Sequence, residues 1–467
     1  MDQEEDPAEA GTVSESVLFA EFQQATDCID LLSNGDSEIK TRNEALAQIR
    51  QIFDKYLEFP SLLDRHVEPM VHQLTEAARS LLRSVDNFWE SPLPHILSAI
   101  YALSKVRGRK RVQKFLSHEV DDLEVVLEAL QSLEDTHQPT SSLEESSGPQ
   151  HWESVYTLWS WMGILSLVPF NTSVVADATL ISTLIQLAKT HLNHAGPTRE
   201  MAAACLASWL ARPDLEKTEL AQFIEWSRDT LETFMGEQQN IFRAMGALQT
   251  LVTILKVSTA DRTTLVTLTK PLWEASLKIS GSNPSNLLLR KYLVKWWTRL
   301  SCAYLPPRIA PWRYQRGRRS LKENLALASS KDVKEEESKD DTYKRGEDYD
   351  IFYVPDHVEE AMGHVISSLT DSATAVRWSA AKGVGRITER LPAICAEDVL
   401  DAILELFQDR EKDYAWHGAC LALAELARRG LLLPHRLCDV VPLIVQAIQV
   451  SAMRETVSLI SDSTPLI

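Results

Sequence analysis

No stretch of this 467-residue chain approaches eighteen uninterrupted apolar residues, the run a helix needs to span a bilayer, so membrane insertion is not expected. The acidic, polar start Met1–Thr12 also lacks the positive flank and apolar core of a secretory signal. Cysteine is scarce. Its six copies (Cys28, Cys205, Cys302, Cys395, Cys420 and Cys438) include no CxxC pair, which speaks against a disulfide framework and for free thiols in a reducing, cytoplasmic setting. Nucleotide chemistry has no foothold either. There is no GxxxxGK[ST] loop, and Gly383-Val384-Gly385 lacks both the preceding strand and the third glycine of a dinucleotide fingerprint. GxSxG and HExxH are missing as well. His191 and His194 stand at helical spacing, but no further ligand lies near them in sequence. An enzyme is therefore not expected, nor a cofactor or metal. Positive charge is in short supply, with 48 Lys and Arg against 66 Asp and Glu and a net charge of −18. That balance disfavours a nucleic-acid binder, because a phosphate backbone rewards clustered cations.

What the chain has in abundance is helical periodicity, and 44% of its residues are hydrophobic. Val376, Ala380, Val384 and Ile387 recur on one face of a helix, with small residues Ala381, Gly383 and Gly385 between them. Just upstream, Pro355-Asp356 reads as a helix start, followed by the stripe Val358, Met362, Val365, Ile366 and Leu369. The two form a helical hairpin. About forty residues later the hairpin returns: Val399, Ile403, Leu406 and Phe407 match its first helix, and Ala415, Ala419, Leu423 and Leu426 its second. A further copy of the second helix lies at Arg199, Ala202, Leu206 and Trp209. Helix pairs at this period are HEAT or armadillo repeats, in which no hairpin buries its own apolar face and neighbours must do so. The expected fold is all-α, a HEAT/armadillo-type α-solenoid, whose usual work is to hold another macromolecule.

The same periodicity sets domain boundaries. Residues 1–16 read as a disordered acidic start and 17–327 as a helical-repeat array. Within it, about 131–151, the Ser-, Glu-, Thr- and Pro-rich run breaks the period and reads as a disordered loop. Residues 328–350 form a charged linker; of the twenty residues from Lys331 to Asp350, nine are acidic and five basic. Clean HEAT repeats occupy 351–450. The tail 451–467 loses the period without a capping helix, as expected of a fragment or an alternative end.

Two basic clusters stand out. Lys105-Val-Arg107-Gly-Arg109-Lys110-Arg111 sits between helical stripes and reads as a solvated turn, or else as a nuclear-targeting signal or a patch for an acidic partner. The second interleaves cations with aromatics: Trp312, Arg313, Tyr314, Arg316, Arg318 and Arg319, following Pro306-Pro307. Guanidinium paired with ring faces suits an acidic protein surface, or else ties one helical layer to the next. Arg377, Trp378 and His417, on the second helices of the two clean repeats, complete the candidate partner-binding residues.

Several runs resemble the tubulin-folding cofactor D (tubulin-specific chaperone D) family. They are Val376-Arg-Trp-Ser-Ala-Ala-Lys-Gly-Val-Gly-Arg386, Ala415-Trp-His-Gly418 with Leu421 to Pro434, and Trp312-Arg-Tyr-Gln-Arg-Gly317. The resemblance runs from about Val17 to about Ile448, after which the family pattern is left although family members continue much further. It implies a HEAT and armadillo scaffold that captures β-tubulin after chaperonin release. With tubulin-folding cofactors C and E and an Arf-like small GTPase, such a scaffold assembles or dismantles the αβ-tubulin heterodimer and contributes to GTPase activation of tubulin. It also implies a cytoplasmic protein linked to the cytoskeleton, centrosomes and cell junctions. A HEAT adaptor of the nuclear-transport or phosphatase-scaffold type is the alternative that the repeats alone allow.

Overall fold

The computed structural model describes residues 19–34, 37–84, 88–135, 148–175, 177–237, 240–258, 262–281, 284–307, 309–314, 353–408 and 413–462. Among them every regular element is helical, and none of the helices is long and apolar enough to cross a membrane. Contacts divide the chain into two units, residues 1–221 with 240–259 and residues 222–239 with 260–467.

The first unit is a two-layered stack. One layer holds α1 (Phe22–Ser33), α3 (Asp64–Leu82), α6 (Asp122–Asp135) and α9 (Ala178–His191). The other runs through α2 (Ile39–Asp54), α4 (Leu93–Arg107), α7 (His151–Leu165), α10 (Pro197–Leu210) and α12 (Ile241–Val257), each packed on the next. Short helices α5 (Arg109–Gln113) and α8 (Thr172–Val175) lie in connections. The middle helices of the second layer have neighbours on either side and are buried nearly all round: α7 buries twelve of its fifteen residues. Tryptophans fill the joints between hairpins. Trp159, Trp161 and Trp209 are fully buried, each burying on the order of 200 Å². Their indole N–H groups stay satisfied, Trp161 donating to the Ser117 carbonyl at 3.0 Å and Trp209 to that of Met162 at 3.1 Å. The start of α7 is fixed by a capping box between Gln150 and Glu153.

The second unit contains α11 (Ala221–Glu237), α13 (Arg262–Thr269), α14 (Pro271–Gly281), α15 (Leu287–Tyr304), α16 (Asp356–Ser367), α17 (Thr374–Thr388), α18 (Ala393–Glu405), α19 (Asp413–Arg428) and α20 (Leu437–Asp462). Here α15, α17 and α19 pack in succession, with α16 against α15 and α17, and α18 against α19. The repeat registers read from sequence bury as expected: Val376, Ala380, Val384, Ile387, Ala415, Ala419, Leu423 and Leu426 are all in the core. Val358, Met362 and Val365 join them, while Ile366 and Leu406 stop half-buried at the edges of their stripes. Close approach depends on small residues. A Cβ added at Gly418 would lie 2.0 Å from the Leu369 carbonyl oxygen, and one at Gly383 would lie 2.4 Å from Thr298 Oγ1, so α19 and α17 sit nearer their neighbours than any side chain allows.

The loop read at 131–151 is narrower at its edges, since α6 runs to Asp135 and α7 begins at His151; residues 136–147 lie outside the described residues, as do 1–18 and 315–352. Helix α20 continues to Asp462, past the boundary drawn at 450. All six cysteines are free thiols; Cys28 and Cys205 are buried, Cys438 is exposed and the rest are half-buried.

Candidate partner interface

The aromatic and basic run that follows α15 is an extended strap. Pro306-Pro307 ends the helix, Leu305 and Ala310 are buried, and three backbone or indole donors reach distant turns. The Ala310 N–H donates to the Glu389 carbonyl at 2.9 Å, Trp312 Nε1 to the Leu391 carbonyl at 3.1 Å, and the Tyr314 N–H to the Gly430 carbonyl at 2.7 Å. Arg390, from the same turn, donates back to the Cys302 carbonyl in α15. The strap therefore binds the end of α15 to the turn after α17 and to the loop after α19. Gly430 is required at that joint: its φ is +73°, and an added Cβ would stand 2.4 Å from the Tyr314 carbonyl oxygen. Trp312 is thus an internal anchor, Arg313 is half-buried, and Tyr314 is 53% exposed. Arg316, Arg318 and Arg319 fall outside the described residues.

Arg377 is 7% exposed and spends its guanidinium on its own chain. Nη1 donates to the carbonyls of Asp371 at 2.7 Å and Ser372 at 2.8 Å, Nη2 to Thr374 Oγ1 at 2.9 Å, and Nε to His417 Nδ1 at 3.1 Å. His417 consequently carries its proton on Nε2, and burial together with the Arg377 charge lowers its pKa. The bonding extends one helix further. Arg290 on α15 grips the Asp371 carboxylate through two hydrogen bonds, 2.7 and 3.1 Å, and caps the carbonyls of Pro284 and Ser285. Arg290, Asp371, Arg377 and His417 form a polar zipper across α15, α17 and α19, which commits the Arg377 guanidinium to its own chain while His417 stays exposed. Trp378, the next residue, points the other way and is 47% exposed, with Lys382 Nζ 5.8 Å from its ring centroid. It lies near the start of α17, whereas the strap meets that helix at its end, roughly 16 Å away at 1.5 Å per residue.

In the first unit, the other basic cluster is partly consumed by ion pairs. Lys105 meets Asp54 at 2.8 Å and the buried Arg107 meets Asp64, while Lys110 and Arg111 remain at the surface. Close by, Tyr101 on α4 takes Trp152 and Tyr156 of α7 edge-on at 4.7 and 5.1 Å, with Trp152 exposed.

Sequence spacing missed one cluster. Glu134 on α6 joins His191 and His194, with one ligand atom from each residue within 4.8 Å of the others. The bonding around it argues against a metal. Trp159 Nε1 donates to His191 Nδ1 at 2.5 Å, so the proton sits on Nε2, which is turned to the Glu134 carboxylate. Freeing Nε2 for a cation would bring an Nδ1–H against the indole N–H. Burial keeps His191 neutral by pushing its pKa down. Nothing local in sequence announces Glu134, because it comes from the preceding helical layer.

Comparison with known proteins matches both units. Family models described as tubulin-specific chaperone D-like ARM repeats cover residues 53–231 and 288–462. Tubulin-specific chaperone D of Dictyostelium discoideum is 26% identical over 88% of this chain and 35% of its own length. Tubulin-folding cofactor D of Schizosaccharomyces pombe is 25% identical over 95% of this chain and 37% of its own. The chain thus spans little more than a third of the length of these curated relatives. A solved engineered protein aligns over 86% of this chain and 99% of its own at 11% identity and a TM-score of 0.29, too slight a likeness to carry an argument.

Proposed function

The chain belongs to the tubulin-specific chaperone D-like ARM-repeat family, and from that premise we propose that it is a non-enzymatic scaffold of the tubulin-folding machinery whose client is β-tubulin. The carrying observation is the pair of family matches, each of which covers several helices, one over residues 53–231 and the other over 288–462. Stacked hairpins offer broad surfaces, and among the residues exposed on them Trp378 and Tyr314 in one unit and Trp152 in the other are of the aromatic types that anchor protein interfaces. The net charge of −18 favours basic or mixed-charge protein surfaces as partners. On this reading the chain takes part in assembling and dismantling the αβ-tubulin heterodimer. Cofactors C and E and an Arf-like small GTPase act beside it, and any stimulation of GTP hydrolysis is exerted on tubulin's own nucleotide site. Work in the cytoplasm, with excursions to centrosomes and cell junctions, belongs to the same proposal.

The test is size-exclusion co-elution of the 467-residue chain with purified αβ-tubulin, run beside a full-length relative. Co-elution supports a tubulin grip within these repeats. Separate peaks, with the full-length relative binding, refute the claim that these repeats suffice.

A further inference from the structure

The connection between α7 and α9 displays apolar side chains from a backbone pinned at several points. Arg212, just after α10, gathers three carbonyls of that connection: Nη1 donates to Ser166 at 2.7 Å and to Val168 at 2.9 Å, and Nη2 to Phe170 at 2.6 Å. Asp214 pairs with the same guanidinium at 3.1 Å and accepts the Thr172 N–H at 2.7 Å. The chain from Ser166 to Thr172 therefore wraps around one ion pair, with polar backbone groups turned inward. Its inner face is also filled. Leu165, Val168 and Thr172 meet Trp209 and, from the start of α6, Val120 and Leu123 around a cavity of about 10 Å³, room for a single water.

What remains outside is apolar. Leu167 is 69% exposed, Phe170 55% and Val174 77%, and Pro169 is exposed between the first two. A single exposed hydrophobic residue needs no explanation, but here three large ones share one loop. The carbonyls of residues 166, 168 and 170 all lie within 2.9 Å of one guanidinium, and the Val174 N–H returns to the Asn171 carbonyl at 3.0 Å. The loop is thus tightly folded, and its apolar side chains share a surface about one helix wide, about 10–12 Å. Apolar groups displayed together mark an interaction site. The clamp favours that role, because a loop already ordered has little conformational freedom left to lose on binding.

The border selects the partner. Glu119, Asp121 and Glu124 are exposed on the segment that carries Val120 and Leu123, and Asp177 is exposed at the start of α9. Lys217, beyond Asp214, is exposed as well, yet the border as a whole stays acidic. Such a rim repels an anionic lipid surface, and a second copy of this chain, with a net charge of −18, would bring the same rim to meet it. An apolar stripe flanked by Lys and Arg answers both features at once. We propose that the surface formed by Leu167, Phe170 and Val174 docks a basic amphipathic helix of another protein. The site is independent of the tubulin reading and stands or falls without it.

Fluorescence anisotropy of the full chain with a labelled helical peptide of about 18 residues, Leu on one face and Lys on the other, tests the proposal. The double variant Leu167→Ser/Phe170→Ser should weaken binding tenfold or more, with an unchanged melt because both residues are exposed. A peptide with Glu in place of Lys should bind at least tenfold more weakly than the Lys form. If the double variant fails to fold, Val174→Ser, at the most exposed of the three, decides the matter with a loss of about threefold or more. No saturable binding of the Lys peptide, an unchanged affinity in the variants, or an equal affinity for the Glu peptide overturns the proposal. So does equal binding of a Lys peptide with Ser in place of Leu, which reduces the contact to charge alone. Co-sedimentation with phosphatidylcholine vesicles, or self-association, that the double variant abolishes overturns it in favour of a lipid surface or a second copy.

Discussion

Acidification should destabilise the first unit through a histidine it keeps neutral. His95 is buried, lies close to the cations Arg42 and Arg50, and has its pKa pushed down to about 4 from 6.5. The unfolded chain takes up a proton near pH 6.5, whereas the folded chain resists until about pH 4. Above pH 6.5 both states are neutral and the group is silent. As pH falls from 6.5 toward 4 the unfolded state binds more protons, so stability is lost across that window and levels off below it. The unit-wise arithmetic gives about 2 kcal/mol lost by pH 5 and about 3 kcal/mol by pH 4. His191, held neutral by burial between Trp159 and Glu134, adds to the loss with the same sign. The assay is urea unfolding at pH 7.5 and pH 5, comparing the parent chain with His95→Gln, which keeps a donor for the Asn43 side-chain oxygen that His95 Nε2 meets at 2.9 Å but cannot titrate. The variant should show a pH dependence smaller by about 2 kcal/mol. An identical pH dependence in both chains, or a His95 NMR titration centred near 6.5, would refute the reasoning.

Three further outcomes follow from the packing. Gly418→Ala drives a methyl into the Leu369 carbonyl and should cost about 1–3 kcal/mol, whereas Gly363→Ala, on α16 with nothing within 4 Å of the added carbon, should be neutral or stabilise by up to about 1 kcal/mol; equal melting shifts would contradict the stacking assigned to α19. Arg377→Ala leaves two turn carbonyls, Thr374 and His417 without their donor and should lower stability by about 2 kcal/mol in chemical denaturation. Trp378→Ala, at an exposed ring, should leave the melt unchanged while reducing tubulin retention on a column, and the reverse pattern in the two variants would exchange their roles.

The architecture was legible because repeat packing is local. A helix whose apolar residues fall on one face needs only its sequence neighbours to declare itself, and Val376, Ala380, Val384 and Ile387 did so together with their counterparts about forty residues on. Side-chain roles were less legible, for a physical reason. The Trp312 indole is satisfied by the Leu391 carbonyl, 79 residues away, and His191 by Glu134, 57 residues upstream. No period connects such pairs. Arg377 is the instructive intermediate case. Its partners Asp371 and Ser372 belong to the turn just before its helix, so the sequence Asp371 to Arg377 carried the signal. An arginine at that position reads as a surface charge only while the unmet carbonyls of the turn are left out of account.

The same observation bears on how a partner is recognised. In a stack of hairpins the turns leave backbone carbonyls without intrahelical partners, and long cationic side chains close by can serve as their donors. Arg290 and Arg377 meet that need in successive helices of the second unit, and Arg212 does so in the first, where it bonds the carbonyls of Ser166, Val168 and Phe170 at 2.6 to 2.9 Å. Cations of this kind are committed to fixing one hairpin on another and cannot also hold an acidic client without loosening the stack. Within the proposed function we therefore assign a share of recognition to exposed rings such as Trp378. Removing such a ring should change affinity and leave the fold alone, while removing a zipper arginine should do the opposite, so stability and capture measured on the same variants separate the two populations of residues.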